Sequence, residues 1–174
     1  VPNISITKQT PSSVLIDADK APGALSMSFA MEQSIEKAQK AGIGWAFVKH
    51  TTHSGPVGYY AQLAVREEMV GIVIVTSRPN MAYFGSKAAG VATNPIAIAV
   101  PGGPDGSVTL DMASSELAIG KIKDALAREV ALPEGGALTK EGNPTTDPAE
   151  AAIPMPLGGA KGSGLSLMFE TLVS

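Results

Sequence analysis

The 174-residue chain predicts an α/β (α+β) fold, a mixed β-sheet with flanking helices, and three observations carry that prediction. Segments with helical apolar spacing alternate with short runs of β-formers, the pattern of helices laid on a sheet. Hydrophobic residues make up 44% and charged residues 17%, enough to form a core and too apolar for a disordered chain. Glycine and proline punctuate the chain between those segments, with no internal repeat and no low-complexity tract. The length favours one domain over residues 1–174.

Taken in order, residues 1–20 read as an extended lead-in, with Val14, Leu15 and Ile16 as an apolar run before Asp17. Residues 24–41 have helical spacing. Met27, Met31, Ile35 and Ala38 form one stripe, and Glu32, Glu36, Lys37 and Lys40 lie outside it. The methionines read as core packing. Gly42 is the expected stop. Residues 45–49 form a strand of buried character, and the polar loop HTTHSG follows at 50–55.

A second helix is expected over 57–69, after Pro56, and a strand GIVIV over 71–75. Residues 76–95 are loop-like, punctuated by Pro79, Gly85, Gly90 and Pro95. Residues 96–100 and 108–111 read as two strands of a hairpin joined by GGPDGS. A third helix is expected over 114–127, capped by Ser114 or Ser115. Residues 131–156 form an irregular, ordered excursion. The glycine-rich GGAKGSG at 158–164 then runs into a last helix.

Composition excludes several function classes. The net charge is -3 and no basic stripe runs along the chain, which argues against a nucleic-acid partner. Cysteine is absent, which rules out disulfides, thiolate metal sites and a cysteine nucleophile, and fits a cytoplasmic location. No apolar run approaches the ~20 residues that span a bilayer, so no membrane partner is expected. VPNISITKQT shows no signal-peptide pattern. The chain does not begin with Met, and LSLMFETLVS stops inside an apolar helix without a stop signal, so a fragment of a longer protein is expected.

Four places could hold chemistry. The two histidines, His50 and His53, lie in a loop after a strand, where a rigid scaffold often places functional groups. Imidazole suits proton transfer near neutral pH, and a hydride-transfer enzyme needs a group that takes the alcohol proton. The alternative is a pair of solvated loop histidines. An HxxH with no third ligand close by is a poor metal site, and no metal is expected.

GGAKGSG either cradles an anion, with backbone amides at a helix start and the Lys161 charge, or is a tight turn before a helix. It matches neither a P-loop nor a Rossmann fingerprint. LDMASS, residues 110–115, offers either ordinary capping chemistry or backbone that meets a ribose. Asn94 before Pro95 reads as a turn initiator.

Together, HTTHSGPVGYYAQLA, VTSRPNMAYFG, ATNPIAIAVP, LDMASSELAIGKI, LPEGGALTKEGNPTTDP and PLGGAKGSGL occur in one order across the chain. In content and order they resemble the malate/L-lactate/ureidoglycolate/sulfolactate dehydrogenase family. The resemblance implies a non-Rossmann NAD(P)-binding domain of the malate/L-lactate dehydrogenase type, beside a helical domain built from both chain ends that is absent here. The absent N-terminal part carries, in the family, a Ser-His-Gly motif and an arginine for the substrate carboxylate.

The resemblance implies an oxidoreductase that moves a hydride between NAD or NADP and a small 2-hydroxy or 2-keto acid, acting as a homodimer. His53 matches the family's loop histidine, two before Gly55 and ahead of Tyr59 and Tyr60. Some members have their acid/base histidine at this position and others in the absent N-terminal part. His50 falls where the family varies.

By the same resemblance Ser77, Asp111, Met112, Ala113, Lys161 and Gly162 are cofactor-binding, and Thr93 lies on the substrate side. Arg78, Tyr83 and Phe84 depart from the family's usual residues. Lys121 stands where hydroxy-acid members more often have lysine and cyclic-imine reductases an acid. The alternatives are an NADPH-dependent reductase of cyclic imino acids and a fragment that binds dinucleotide without turnover.

Overall fold

The structure is a computed structural model and describes residues 1–173. In chain order its elements are β1 (Ser5–Gln9), β2 (Ser13–Asp17), α1 (Gly23–Ala41), β3 (Trp45–Lys49), α2 (Gly58–Val65), β4 (Gly71–Ile74), β5 (Met81–Ala82), β6 (Ala89–Val91), β7 (Ile96–Pro101), β8 (Ser107–Met112), α3 (Ile119–Ala127), β9 (Ala137–Leu138), β10 (Pro144–Thr145), β11 (Ile153–Pro154) and α4 (Ala160–Val173). They fall into two compact units. The first holds residues 1–73 and 96–111, and the second holds residues 74–95 and 112–174.

In the first unit, β2 pairs antiparallel with β1 and parallel with β3, and α1 makes the crossover that a parallel pair requires. Val14 and Ile16 alternate inward on β2 and pack with Ala30 of α1, against half-buried Phe29, Ala46 and Val48. The opposite face of β3 carries Trp45 and Phe47, which are exposed with ring centroids 5.9 Å apart. The strand is therefore half-buried on one face and exposed on the other, which corrects the expectation of a buried strand.

Helix α1 ends as expected. Gly42 adopts φ 80°, a left-handed conformation that costs glycine little, and its N–H donates to Ala38 O. Its fully buried positions are Gly23, Ser26 and Ala30. The Met27, Met31, Ile35 and Ala38 stripe is only half-buried. Ala30 packs on the sheet, and Gly23 and Ser26 let the start of the helix approach the loop over 51–54 closely.

A second sheet has β7 between β4 and β8. Ala97 and Ala99 of β7 are fully buried, as are Ala61 and Ala64 of α2, and α2 packs on β7 through these small residues. The Oγ1 of Thr109 accepts from Gln62 Nε2, and the carboxylate of Asp111 accepts from Gly58 N–H. These bonds fix which face of β8 meets α2. Val108 and Leu110, which alternate with them, are exposed on the other face, and on β4 Ile72 is exposed between buried Gly71 and Val73. Helix α2 stops at Val65, four residues short of the expected end. Residues 66–68 turn out of it, and Glu68 reaches φ 58°.

The second unit contains two elements that sequence periodicity passes over. β5 and β6 form a short antiparallel pair inside the expected loop, and β9 lies between β10 and β11 inside the expected excursion. Strands of two or three residues are too short for alternation to register. The third helix begins at Ile119 rather than at 114, and its N-cap, Ala118, makes no side-chain cap bond. Ser114 and Ser115 are buried. Ser114 Oγ donates to Thr93 O and Ser115 Oγ to Leu117 O, so neither caps the helix. A bridge from Ser115 to Pro156 holds this stretch extended. Leu117, Ile122, Ala125, Leu132 and Ala137 form the core beneath α3.

Candidate functional site

In the first unit the loop over 50–55 is tied down at nearly every residue. His50 sits at φ 57°, and its Nδ1 lies 3.0 Å and 3.1 Å from the two carboxylate oxygens of Asp17. Lys49 Nζ is 3.3 Å from the same carboxylate. The Asp19 backbone N–H, then His50 and Lys49, lower the Asp17 pKa to about 2, because each stabilises the charged form. Asp17 and His50 also line an open cleft of about 440 Å³ with Asn3, Ser5, Asp19 and Lys20.

Thr51 Oγ1 lies 2.5 Å from the Oγ of buried Ser26. Thr52 Oγ1 donates to Ala21 O at 3.2 Å and accepts from Gly23 N–H at 3.1 Å. The hydroxyl of buried Tyr60 donates to Ser54 O. Burial, and secondarily Tyr59, raise the Tyr60 pKa, so it stays a neutral donor. A Cβ on Gly23 would lie 2.3 Å from His53 O, so glycine is required for this loop to lie on the start of α1.

His53 itself is exposed, and its ring has no hydrogen-bond partner among the described residues. A held backbone with a free imidazole is the arrangement that a proton-transfer group needs. Asp111, also in this unit, spends one carboxylate oxygen on Gly58 N–H at 2.7 Å and so caps α2 from a distant strand.

In the second unit the expected residues gather around the start of α4. Thr93 is held on both sides: its N–H donates to Asn80 Oδ1 at 3.0 Å, and its carbonyl accepts from Ser114 N–H at 2.8 Å. Its hydroxyl has no partner among the described residues. The Ser114 bonds tie Thr93 to the segment that carries Met112 and Ala113, both half-buried. Ser114 O accepts from Leu157 N–H, and a Cβ on Gly162 would lie 2.5 Å from that same oxygen.

Lys161 is exposed and makes no ion pair among the described residues. Ser77 is exposed as well, and its hydroxyl donates only to Arg78 O. It makes no bond to the others.

Most amides around the start of α4 are already engaged. Lys161, Gly162 and Ser163 donate to Gly158, Leu157 and Gly159 carbonyls, and Gly158 N–H donates to the Glu116 carboxylate at 2.8 Å. Gly158 and Gly159 take φ 56° and 62°, which makes this tight turn.

Sequence reasoning missed the polar face of α4. Ser163 Oγ accepts from Phe84 N–H, Ser166 Oγ donates to Ala92 O, and a Glu170 carboxylate oxygen accepts from Ala92 N–H. Asn94, fully buried at φ 25°, donates through Nδ2 to Ser166 O and Oγ, and its Oδ1 has no partner among the described residues. Asn94 is thus more than a turn initiator. Polar residues at 163, 166 and 170 share one helix face, and that i, i+3, i+7 stripe in an apolar segment was the available signal. No group of three or more His, Asp or Glu placed to hold a metal ion occurs among the described residues.

The sequence matches the model of the malate/L-lactate dehydrogenase family over residues 1–174. It is 43% identical over 173 residues to the L-sulfolactate dehydrogenase of Methanocaldococcus jannaschii, covering 98% of this chain and 50% of that protein. It is 36% identical over 171 residues to the ureidoglycolate dehydrogenase (NAD(+)) of Escherichia coli, covering 98% of this chain and 49% of that protein. The solved structure of the sulfolactate dehydrogenase from Methanocaldococcus jannaschii superposes with a TM-score of 0.87, covering 99% of this chain and 50% of that one. The chain therefore spans about half the length of the relatives it matches.

Proposed function

This chain belongs to the malate/L-lactate dehydrogenase family, and on that premise we propose that it is the cofactor-binding part of an oxidoreductase. The reaction is hydride transfer between NAD or NADP and a small 2-hydroxy acid, giving the 2-keto acid, or the reverse. The observation that carries this reading is His53, a free imidazole on a loop tied down on both sides.

His53 takes the C2 hydroxyl proton as the C2 hydrogen leaves with its electron pair, and returns a proton in reduction. Thr93, with a free hydroxyl and a held backbone, meets the substrate. Exposed Lys161 and Ser77 fit the phosphates and ribose of a dinucleotide, and Met112, Ala113 and Gly162 line its path. Asp111 keeps one carboxylate oxygen for a sugar hydroxyl while the other caps α2. The nicotinamide, when bound, supplies the hydride acceptor or donor.

The reading also includes a homodimer in the cytoplasm. Exposed Ile72, Val108 and Leu110 support burial of that sheet face against another surface. The absence of cysteine suits a reducing compartment. No helix among the described residues is long and apolar enough to cross a membrane.

Two measurements test the proposal. Titration of the 174-residue chain with NADH and NADPH, followed by cofactor fluorescence, should show binding of at least one. Turnover of the protein carrying this chain should be found with malate, lactate, sulfolactate or ureidoglycolate rather than with a cyclic imino acid. His53→Ala should lower it by about 10²-fold or more. Near-normal turnover in that variant removes His53 from the role, and absence of dinucleotide binding removes the cofactor assignment.

A further inference from the structure

We infer that Thr52 and Tyr60 are positioning residues for His53, a reading that rests on the acid/base role proposed above. The two act from opposite sides of the histidine. Thr52, the residue before it, uses both halves of its hydroxyl on the start of α1, donating to Ala21 O and accepting from Gly23 N–H. Tyr60, on α2, donates to the carbonyl of Ser54, the residue after it.

The residues on either side of His53 are thereby tied to the starts of two different helices, Thr52 through its hydroxyl and Ser54 through its carbonyl, while the ring remains exposed and unbonded. Three features make this more than loop packing. Tyr60 is 3% exposed, so water competes poorly for its donor. Gly23 has no side chain to displace the His53 carbonyl, which a Cβ would approach to 2.3 Å. The neighbouring Thr51 hydroxyl is bound to buried Ser26, so the loop cannot shift along α1 without breaking a third contact. The ring is left without a partner, while the residues before and after it are anchored.

The variants are Thr52→Val and Tyr60→Phe, which delete hydroxyls at nearly constant shape, and Thr52→Ser, which restores one. The readout is the backbone order parameter of His53 from ¹⁵N relaxation of the 174-residue chain, which needs no turnover. Wild type and Thr52→Ser should lie near the rigid value of about 0.85, and the two deletions should fall towards about 0.6 at residues 52–54 only.

In the active protein the same deletions should lower kcat by about 10- to 100-fold with little change in KM for the dinucleotide, and should add nothing in a His53→Ala background. An unchanged His53 order parameter in both deletions overturns the inference. So does a kcat loss of the same size in the His53→Ala background, which marks a merely structural effect. Full turnover by His53→Ala alone sinks the acid/base reading instead, whatever the relaxation data show.

Discussion

Two glycines on α4, two residues apart, should respond in opposite directions to the same substitution. A Cβ on Gly162 would lie 2.5 Å from Leu157 N, from Leu157 O and from Ser114 O. All three are backbone atoms, and the contact is about 1 Å inside ordinary van der Waals separation. Relief requires moving the helix start or the 112–115 segment. Overpacking of this kind costs about 3 kcal/mol, against a helix-propensity gain of about 1 kcal/mol for alanine over glycine. The net loss is about 2 kcal/mol, or roughly 4–8 °C in Tm for a chain of this size.

Gly164 has nothing within 4 Å of its Cβ position, so Gly164→Ala keeps the propensity gain alone and should raise Tm by roughly 2–4 °C. Thermal and urea denaturation of the 174-residue chain measure both. Equal tolerance at the two positions would refute the packing argument. If Gly162→Ala stays stable but loses dinucleotide binding, ligand approach is what requires glycine there, and the backbone packing does not.

Three further outcomes are expected. Asp111→Ala should destabilise by about 1–2 kcal/mol through loss of the α2 cap, and Asp111→Asn, which keeps an acceptor, by less than half of that; equal losses in urea melts would deny the capping role. The Asp17 carboxyl has a folded pKa of about 2, below its unfolded value near 3.8, so its contribution is present above about pH 4 and lost as pH falls towards 2. Asp17→Asn should therefore flatten the fall of Tm between pH 4 and pH 2, and a parallel fall in both proteins would show that the pairing contributes nothing. Asn94→Ala should cost about 2–3 kcal/mol, since it leaves Ser166 O without its side-chain donor in a fully buried position; a loss under about 0.5 kcal/mol by chemical denaturation would contradict the network.

Long periodic segments were legible from residues alone. The first helix and the strand over 45–49 appear within a residue of where spacing put them, because apolar periodicity and a stop at Gly42 are local properties, whereas the last helix begins at Ala160, inside the glycine-rich stretch expected to precede it. The third helix failed for a physical reason. Ser114 and Ser115 are good caps locally, but Thr93 O and the Pro156 bridge capture them first. The Met stripe misplaced the centre of α1 because periodicity rewards large side chains, while close packing selected Gly23 and Ser26 against the 51–54 loop and Ala30 against the sheet.

The sequence by itself determined the alternation of helices and strands, the absence of cysteine chemistry, and the family to which the ordered motifs point. It also marked His53 and the glycine turn before α4 as places to look. Tertiary structure alone decided how those places are built. Thr52 and Ser54, on either side of His53, are bonded to the start of α1 and to Tyr60 of α2, Gly23 leaves room for the His53 carbonyl, and Asp111 turns out to cap α2. Several amides of GGAKGSG close on their own turn, Gly158 N–H meets the Glu116 carboxylate, and Lys161 is the exposed charge. The bonds of Thr52, Gly58 and Gly158 join residues far apart in the chain, and no local pattern encodes which distant carbonyl or carboxylate a given group will meet.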